Sequence, residues 1–202
     1  IFVPIWTLLV YTPVTYWVYS GWHHSMGAID FAGGTAIHIN AGAASLALII
    51  VLGKRKGWPS ESSPPHNLPL VMLGTGILWF GWFGFNAGSA YAADNTAAIA
   101  ATNTLLATCA AGLAWLIVEK IRDKKATSLG AASGIVAGLV AITPACANVT
   151  PMGAILLGLV AGAVCAWAVT LKYKLGFDDS FDVVGIHLVG GLVGTLALGF
   201  LA

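Results

Sequence analysis

Two histidines stand in segments that are otherwise apolar and rich in glycine: DFAGGTAIHINAG, Asp30 to Gly42, and DSFDVVGIHLVGG, Asp179 to Gly191. In each, an aspartate precedes an Ile-His pair and a glycine follows four residues after the histidine. Asp30, Ile37, His38 and Gly42 thus match Asp179, Ile186, His187 and Gly191. Burial away from water favours the uncharged imidazole, which carries one donor and one acceptor. Two such rings in contact suit a small uncharged polar molecule, or a proton passed between them. A structural alternative is a histidine satisfied by a neighbouring carbonyl, Ser or Thr. A metal site wants three or four ligands, and no third His, Cys or carboxylate is placed to join. Bis-histidine haem binding meets small, tightly packed residues that leave little room for a porphyrin.

The elements that hold these residues are membrane spans. Of 202 residues, 58% are hydrophobic and only 8% charged, with 25 glycines and a mean hydropathy of +0.86. That balance excludes an ordinary soluble domain. About 20 apolar residues cross a bilayer as helix, and seven stretches qualify: 1–20, 31–52, 68–90, 95–118, 129–147, 151–171 and 181–202. The expected fold is all-α, a polytopic membrane helix bundle forming a single domain. All nine Lys and Arg residues fall in three alternate connections: Lys54 to Lys56, Lys120 to Lys125, and Lys172 with Lys174. The positive-inside rule puts these connections in the cytoplasm. The second and seventh spans then run in opposite directions, so the two histidine segments form an inverted repeat. Eight residues of helix rise about 12 Å, which carries each histidine from its own face toward mid-membrane. An ionisable group at that depth is a functional candidate.

Several features have plainer readings. Residue 1 lies inside an apolar run without a signal-peptide pattern, and the chain stops in GTLALGFLA, so the sequence reads as the interior of a longer protein. The connection KRKGWPSESSPPHNLP, with its prolines and Ser60 to Ser63, is the one ordinary loop. Cys109, Cys146 and Cys165 lack metal-knuckle spacing and read as packing residues. Gly130, Gly134 and Gly138, Gly158 and Gly162, and Gly190 and Gly194 recur at GxxxG spacing. Such faces suit close helix packing within the bundle or a subunit interface.

The third span ends in ILWFGWFGFNAGSA. Trp82, Phe85 and Ser89 lie on one helical stripe. They suit an interfacial aromatic belt or an aromatic surface that attracts a cation, with Phe85 as a plug and Ser89 accepting a hydrogen bond. The interleaved glycines at 81, 84 and 88 favour a packed interior.

With these segments in order, the chain resembles the Amt branch of the Amt/Rh/MEP ammonium transporter family. DFAGGTAIHINAG, WFGWFGFNAGSA, GAASGIVAGLVAITPACA and DDSFDVVGIHLVGG are similar to its signature segments. The resemblance covers essentially the whole chain and implies spans four to ten of an eleven-span subunit, in a homotrimer with one pore per subunit. It implies that His38 and His187 are the twin pore histidines, that Trp82 lines the pore, and that Phe85 is one of two gating phenylalanines. It further implies external recruitment of ammonium at Ser89, with Thr143 near the entrance, and structural roles for Asp30 and Asp179. One departure stands in YWVYSGWHH, where the family carries a recruitment tryptophan. Ungapped alignment puts Val18 there, while a one-residue deletion puts Tyr19 there and keeps an aromatic face. His23 and His24, in this outer loop, receive no role.

The implied function is recruitment of NH4+, its deprotonation, and conduction of NH3 through a hydrophobic pore in the cell (inner) membrane. An Rh-like channel for NH3 or CO2 and an ammonium sensor on the same fold are the alternatives. Enzymatic triads and HExxH motifs are missing from the sequence, and neither a cofactor nor nucleic acid is expected. The basic loops serve as topology signals or as docking sites for a PII-type regulatory protein.

Overall fold

The structure is a computed structural model and describes residues 1–61 and 63–202. Ser62, in the polar stretch of the long loop, lies outside the described residues. Seven helical passages account for the bundle. They are α1 (2–19), α2 (Gly34–Leu52), α3 (Leu68–Ala90), α4 (Asn95–Arg122), α5 (Ser128–Ile142), α6 (Pro151–Ala168) and α7 (Val184–Leu201). The described residues contain no strand. In apolar surroundings a helix satisfies its own backbone groups, which is why such a sequence resolves into helices.

Side chains at the helix starts complete that accounting. Asn67, Asp94, Thr127 and Thr150 accept from the backbone N–H of Leu70, Ala97, Gly130 and Gly153, each capping orphan donors. The expected spans differ from the helices in informative places. Stretch 129–147 stays apolar to its end, yet α5 stops at Ile142 because Thr143-Pro144 turns the chain. Pro144 has no N–H to continue the ladder. Conversely, α4 runs past residue 118 to Arg122, since a helix continues in polar sequence once it leaves the hydrocarbon.

The centre of the bundle is α4, against which α5 and α6 pack closely. Added Cβ atoms at Gly134 and Gly138 would meet Trp115 Cβ and Ala111 Cβ at 2.7 Å. At Gly158 and Gly162 they would strike the carbonyl oxygens of Ala107 and Ala111. These glycines therefore pack within the bundle, the first of the two readings of the GxxxG faces. Asn103, buried on α4, donates to the carbonyls of Cys146 and Val149, both at 2.8 Å, and so holds the connection after Thr143.

Helices α2 and α7 cross at backbone distance. A Cβ on Gly42 would lie 2.5 Å from Leu188 N, and one on Gly191 would lie 2.9 Å from Ile39 Cγ1. Leu188 and Ile39 each directly follow a histidine, so each glycine admits the other repeat's histidine turn.

Beyond the end of α2 and before the start of α7, two of the basic connections meet. Arg55 donates to Asp178 from its backbone N, Nε and Nη2, each at 2.8 Å, and Lys172 donates to Asp182 Oδ1 at 2.6 Å. Trp58 stacks on Tyr173 with parallel rings, and Lys54 lies over Trp58 at 4.9 Å. Hydrogen bonding to Arg55 holds the Asp178 carboxyl below the usual carboxylate range. The stabilising contribution of a depressed carboxyl is present above the unfolded value and is lost as pH falls through the folded one.

Two outcomes are expected in the full-length protein. Gly42→Leu should lower the thermal unfolding midpoint, with overpacking costing about 1–3 kcal/mol, while Gly199→Leu, which meets open space, should not. Arg55→Gln should speed amide exchange over residues 53–57 at neutral pH. The wild type should match the variant only at pH well below the ordinary aspartate value of about 4, once pH has fallen through the depressed Asp178 one.

Candidate functional site

The site is built from two anchored helix starts and the histidine turns that follow them. Asp30 accepts four backbone bonds: Oδ1 takes Gly33 N at 3.0 Å and Gly34 N at 2.6 Å, and Oδ2 takes Thr35 N at 2.9 Å and Ala36 N at 3.0 Å. Asp179 does the same for α7, with Oδ1 on Val183 N at 3.0 Å and Oδ2 on Val184 N at 2.8 Å. An anion there satisfies free N–H groups and meets the positive helix end. Both turns that follow are π-helical, Gly34–Ile39 and Val184–Leu188. Wide turns of this kind occur frequently at functional sites. Here each carries one of the histidines.

The imidazoles meet at the helix crossing. His38 Nδ1 lies 3.3 Å from His187 Nδ1, with ring centroids 5.3 Å apart. His38 is also stacked on the Trp82 indole at 5.4 Å and 13°, and tilts against Phe85 at 6.0 Å. Trp82 and Phe85 are 5.1 Å apart. One continuous line of rings thus runs from Phe85 past Trp82 and His38 to His187.

Above this line is a vestibule of about 540 Å³ lined by Tyr11, Thr15, Tyr19, Phe31, Ala32, Ile37, Phe85, Ser89 and Tyr91. Tyr19, Phe85 and Ser89, chosen from the sequence, share this space. Val18 is buried, at 5% exposure, and Tyr19 is 39% exposed, so the tyrosine presents its ring to the vestibule. Ser89 Oγ donates to the Phe85 carbonyl at 2.7 Å. With its proton committed inward, its lone pairs remain available to a donor from outside.

Thr143 is placed deeper than expected. It is fully buried, is not among the vestibule residues, and sits between Trp82 and His38. Trp82 Nε1 donates to its hydroxyl at 3.1 Å, His38 Nε2 lies 3.3 Å from it, and it donates to the Leu139 carbonyl at 2.7 Å. The adjoining turn is fixed by Phe31 N donating to Pro144 O at 3.1 Å, and by Gly34, where a Cβ would meet the Pro144 ring at 2.5 Å.

Residues not singled out from the sequence complete the site. Tyr11, Thr15 and Tyr91 line the vestibule, and Asn103 supports the Thr143 connection. An amide in the middle of an apolar span was a signal for Asn103; nothing in one sequence marks the vestibule tyrosines. Among the described residues no group of three or more His, Cys, Asp or Glu side chains converges on one point.

The whole chain, residues 1–202, matches the model of the Ammonium Transporter Family. It is 59% identical to an ammonium transporter of Mycobacterium tuberculosis, matching 100% of this chain and 44% of that relative. The solved structure of the N240A mutant of Candida albicans Mep2 superposes with a TM-score of 0.91 at 40% identity, over 98% of this chain and 45% of that one. A structure described as a Sensor Amt Protein gives 0.88 at 36% identity, over 96% and 51%. The chain spans about half the length of the curated relatives it matches. With its twin-repeat histidine site and a match along its full extent, the chain belongs to the ammonium transporter family, whose members are multi-pass membrane proteins.

Proposed function

We propose that the protein recruits NH4+ at the outer vestibule, strips its proton and passes NH3 between Phe85 and the His38–His187 pair. The observation that carries this reading is the 3.3 Å contact between the two imidazole Nδ1 atoms beneath the vestibule. It gives a desolvated passage with hydrogen-bonding groups but no fixed charge from a side chain of the line.

Recruitment follows from the vestibule's chemistry. The Tyr19 and Phe85 rings offer π faces to a cation, an attraction of about 0.5–2 kcal/mol depending on desolvation. Ser89 accepts a hydrogen bond from the same ion. Below Phe85, Trp82 and His38 leave no water-like environment for a charge, and transferring a bare ion to such a medium costs several kcal/mol or more. Ammonia carries no such penalty and keeps one lone pair and three donors for the imidazoles. Potassium has no proton to lose, so the same passage rejects it. Asp30 acts by holding the π turn of His38, and Asp179 by holding that of His187. Neither carboxylate faces the substrate in this scheme.

Assembly as a homotrimer and docking of a PII-type regulator are inferred from family membership. Lys54, Lys56, Lys120, Lys124, Lys125 and Lys174 are exposed, and their charge supports such a contact. Sedimentation of the full-length protein in detergent, with and without a PII-type protein, tests both.

Transport is tested by radiolabelled methylammonium uptake into proteoliposomes holding the full-length protein. His38→Ala and His187→Ala should each lose selective uptake, and unchanged uptake in either would sink the pore assignment. Ser89→Ala and Tyr19→Ala should weaken half-saturation about two- to thirtyfold with less effect on the maximal rate, as expected for loss of 0.5–2 kcal/mol of cation binding.

A further inference from the structure

We infer that Thr143 fixes the proton arrangement of the histidine pair, placing hydrogen on His38 Nε2 and His187 Nδ1 and leaving His187 Nε2 as the pair's one free lone pair. The inference deepens the transport reading and rests on it only for its consequence in the pore. The assignment itself rests on hydrogen bonds at one hydroxyl.

The argument begins at Pro144. Because Pro144 has no N–H, the last amide of α5 is that of Thr143, and it bonds to Val140 O at 3.3 Å. The Leu139 carbonyl is thereby deprived of its regular partner four residues on. It is fully buried, and an unpaired buried carbonyl is costly. The Thr143 hydroxyl supplies the missing donor at 2.7 Å. A hydroxyl has one proton, so toward every other neighbour this oxygen can only accept.

It has two such neighbours. Trp82 Nε1 is a donor in every state of an indole and lies at 3.1 Å. His38 Nε2, at 3.3 Å, must then be a donor too, and the hydroxyl's two lone pairs are both used. A neutral His38 with hydrogen on Nε2 has a bare Nδ1. The 3.3 Å contact with His187 Nδ1 is a hydrogen bond only if His187 donates. Both tautomers are thus set by a residue that contacts one of the rings, from a turn held by Asn103, Phe31 and Gly34.

A consequence for proton movement follows. If an ammonium ion meets the pair from the His187 side, its N–H bond breaks, the new bond forms at His187 Nε2, and NH3 leaves. The new imidazolium can shift its Nδ1 proton to His38 Nδ1, restoring neutral His187 and charging His38. There the transfer ends, because His38 Nε2 already carries hydrogen and the Thr143 oxygen beyond it is a poor base with its own proton committed. The pair takes up and returns protons at one end and is not a through-wire.

The test is nitrogen NMR of the full-length protein in lipid with 15N-histidine, the two rings assigned by His38→Ala and His187→Ala. The wild type should show hydrogen on His38 Nε2 and on His187 Nδ1. Thr143→Val, similar in shape but lacking the acceptor, should give mixed tautomers at His38, and Thr143→Ser should restore the wild-type pattern. Hydrogen on His38 Nδ1 in the wild type overturns the inference, as do identical spectra for the Val and Ser variants. The wild-type spectrum decides even where Thr143→Val does not assemble. Wild-type protein with this pattern but no methylammonium uptake would remove the transport reading and leave the assignment standing.

Discussion

Helices α2 and α7 can cross at backbone distance only because Gly42 and Gly191 carry no side chain, and the polar centre of the molecule depends on that crossing. Each glycine receives the residue after the opposite histidine, Leu188 or Ile39. Separating the helices by a methyl group's width would stretch the 3.3 Å imidazole contact beyond hydrogen bonding. Two rings that are costly to bury singly would then each need another partner. The repeat of Asp, Ile-His and Gly is therefore one mechanical unit used twice: the carboxylate fixes the helix start, the π turn presents the ring, and the glycine admits its counterpart.

The rest of the bundle holds that unit in register. α4 forms a central post, with glycines of α5 and α6 seated on its alanine carbonyls. From it Asn103 reaches the connection that carries Thr143. Aromatic side chains, Trp82 above all, fill the space beside His38 that water would otherwise occupy. Under the transport proposal, selection comes from what the site withholds, since it supplies partners for hydrogen bonds but no compensating charge along the ring line.

Much of this was legible in the sequence. Hydropathy marked the apolar stretches that fold as helices, and the scarcity of histidine made the repeated Asp-to-Gly spacing visible. The aromatic stripe of Trp82, Phe85 and Ser89 followed from helical periodicity, and the structure joins Phe85 and Ser89 to Tyr19 at one vestibule. What stayed hidden has a physical reason. A π turn leaves no residue signature, so neither Gly34–Ile39 nor Val184–Leu188 could be read in advance. Apolar composition reports burial and not helix, which is why 129–147 overran the end of α5 at Thr143-Pro144. The shared hydroxyl of Thr143 joins residues 61 and 105 positions apart in sequence, a proximity that only the assembled bundle creates.

The two ends of the crossing are tied in different ways. At the outer end, Asp30 bonds to amides within six residues of itself, while at the other end Arg55 must find Asp178 across 123 residues. Local ties close a short loop and form early, whereas distant ones wait until most of the chain is in place. The outer anchor of α2 therefore sets as that helix is made, and the opposite end stays untied until α7 arrives. A chain made only as far as α6 would hold the Asp30 end of α2 in shape with its Arg55 end still open, so that end is fastened only once Asp178 has been made.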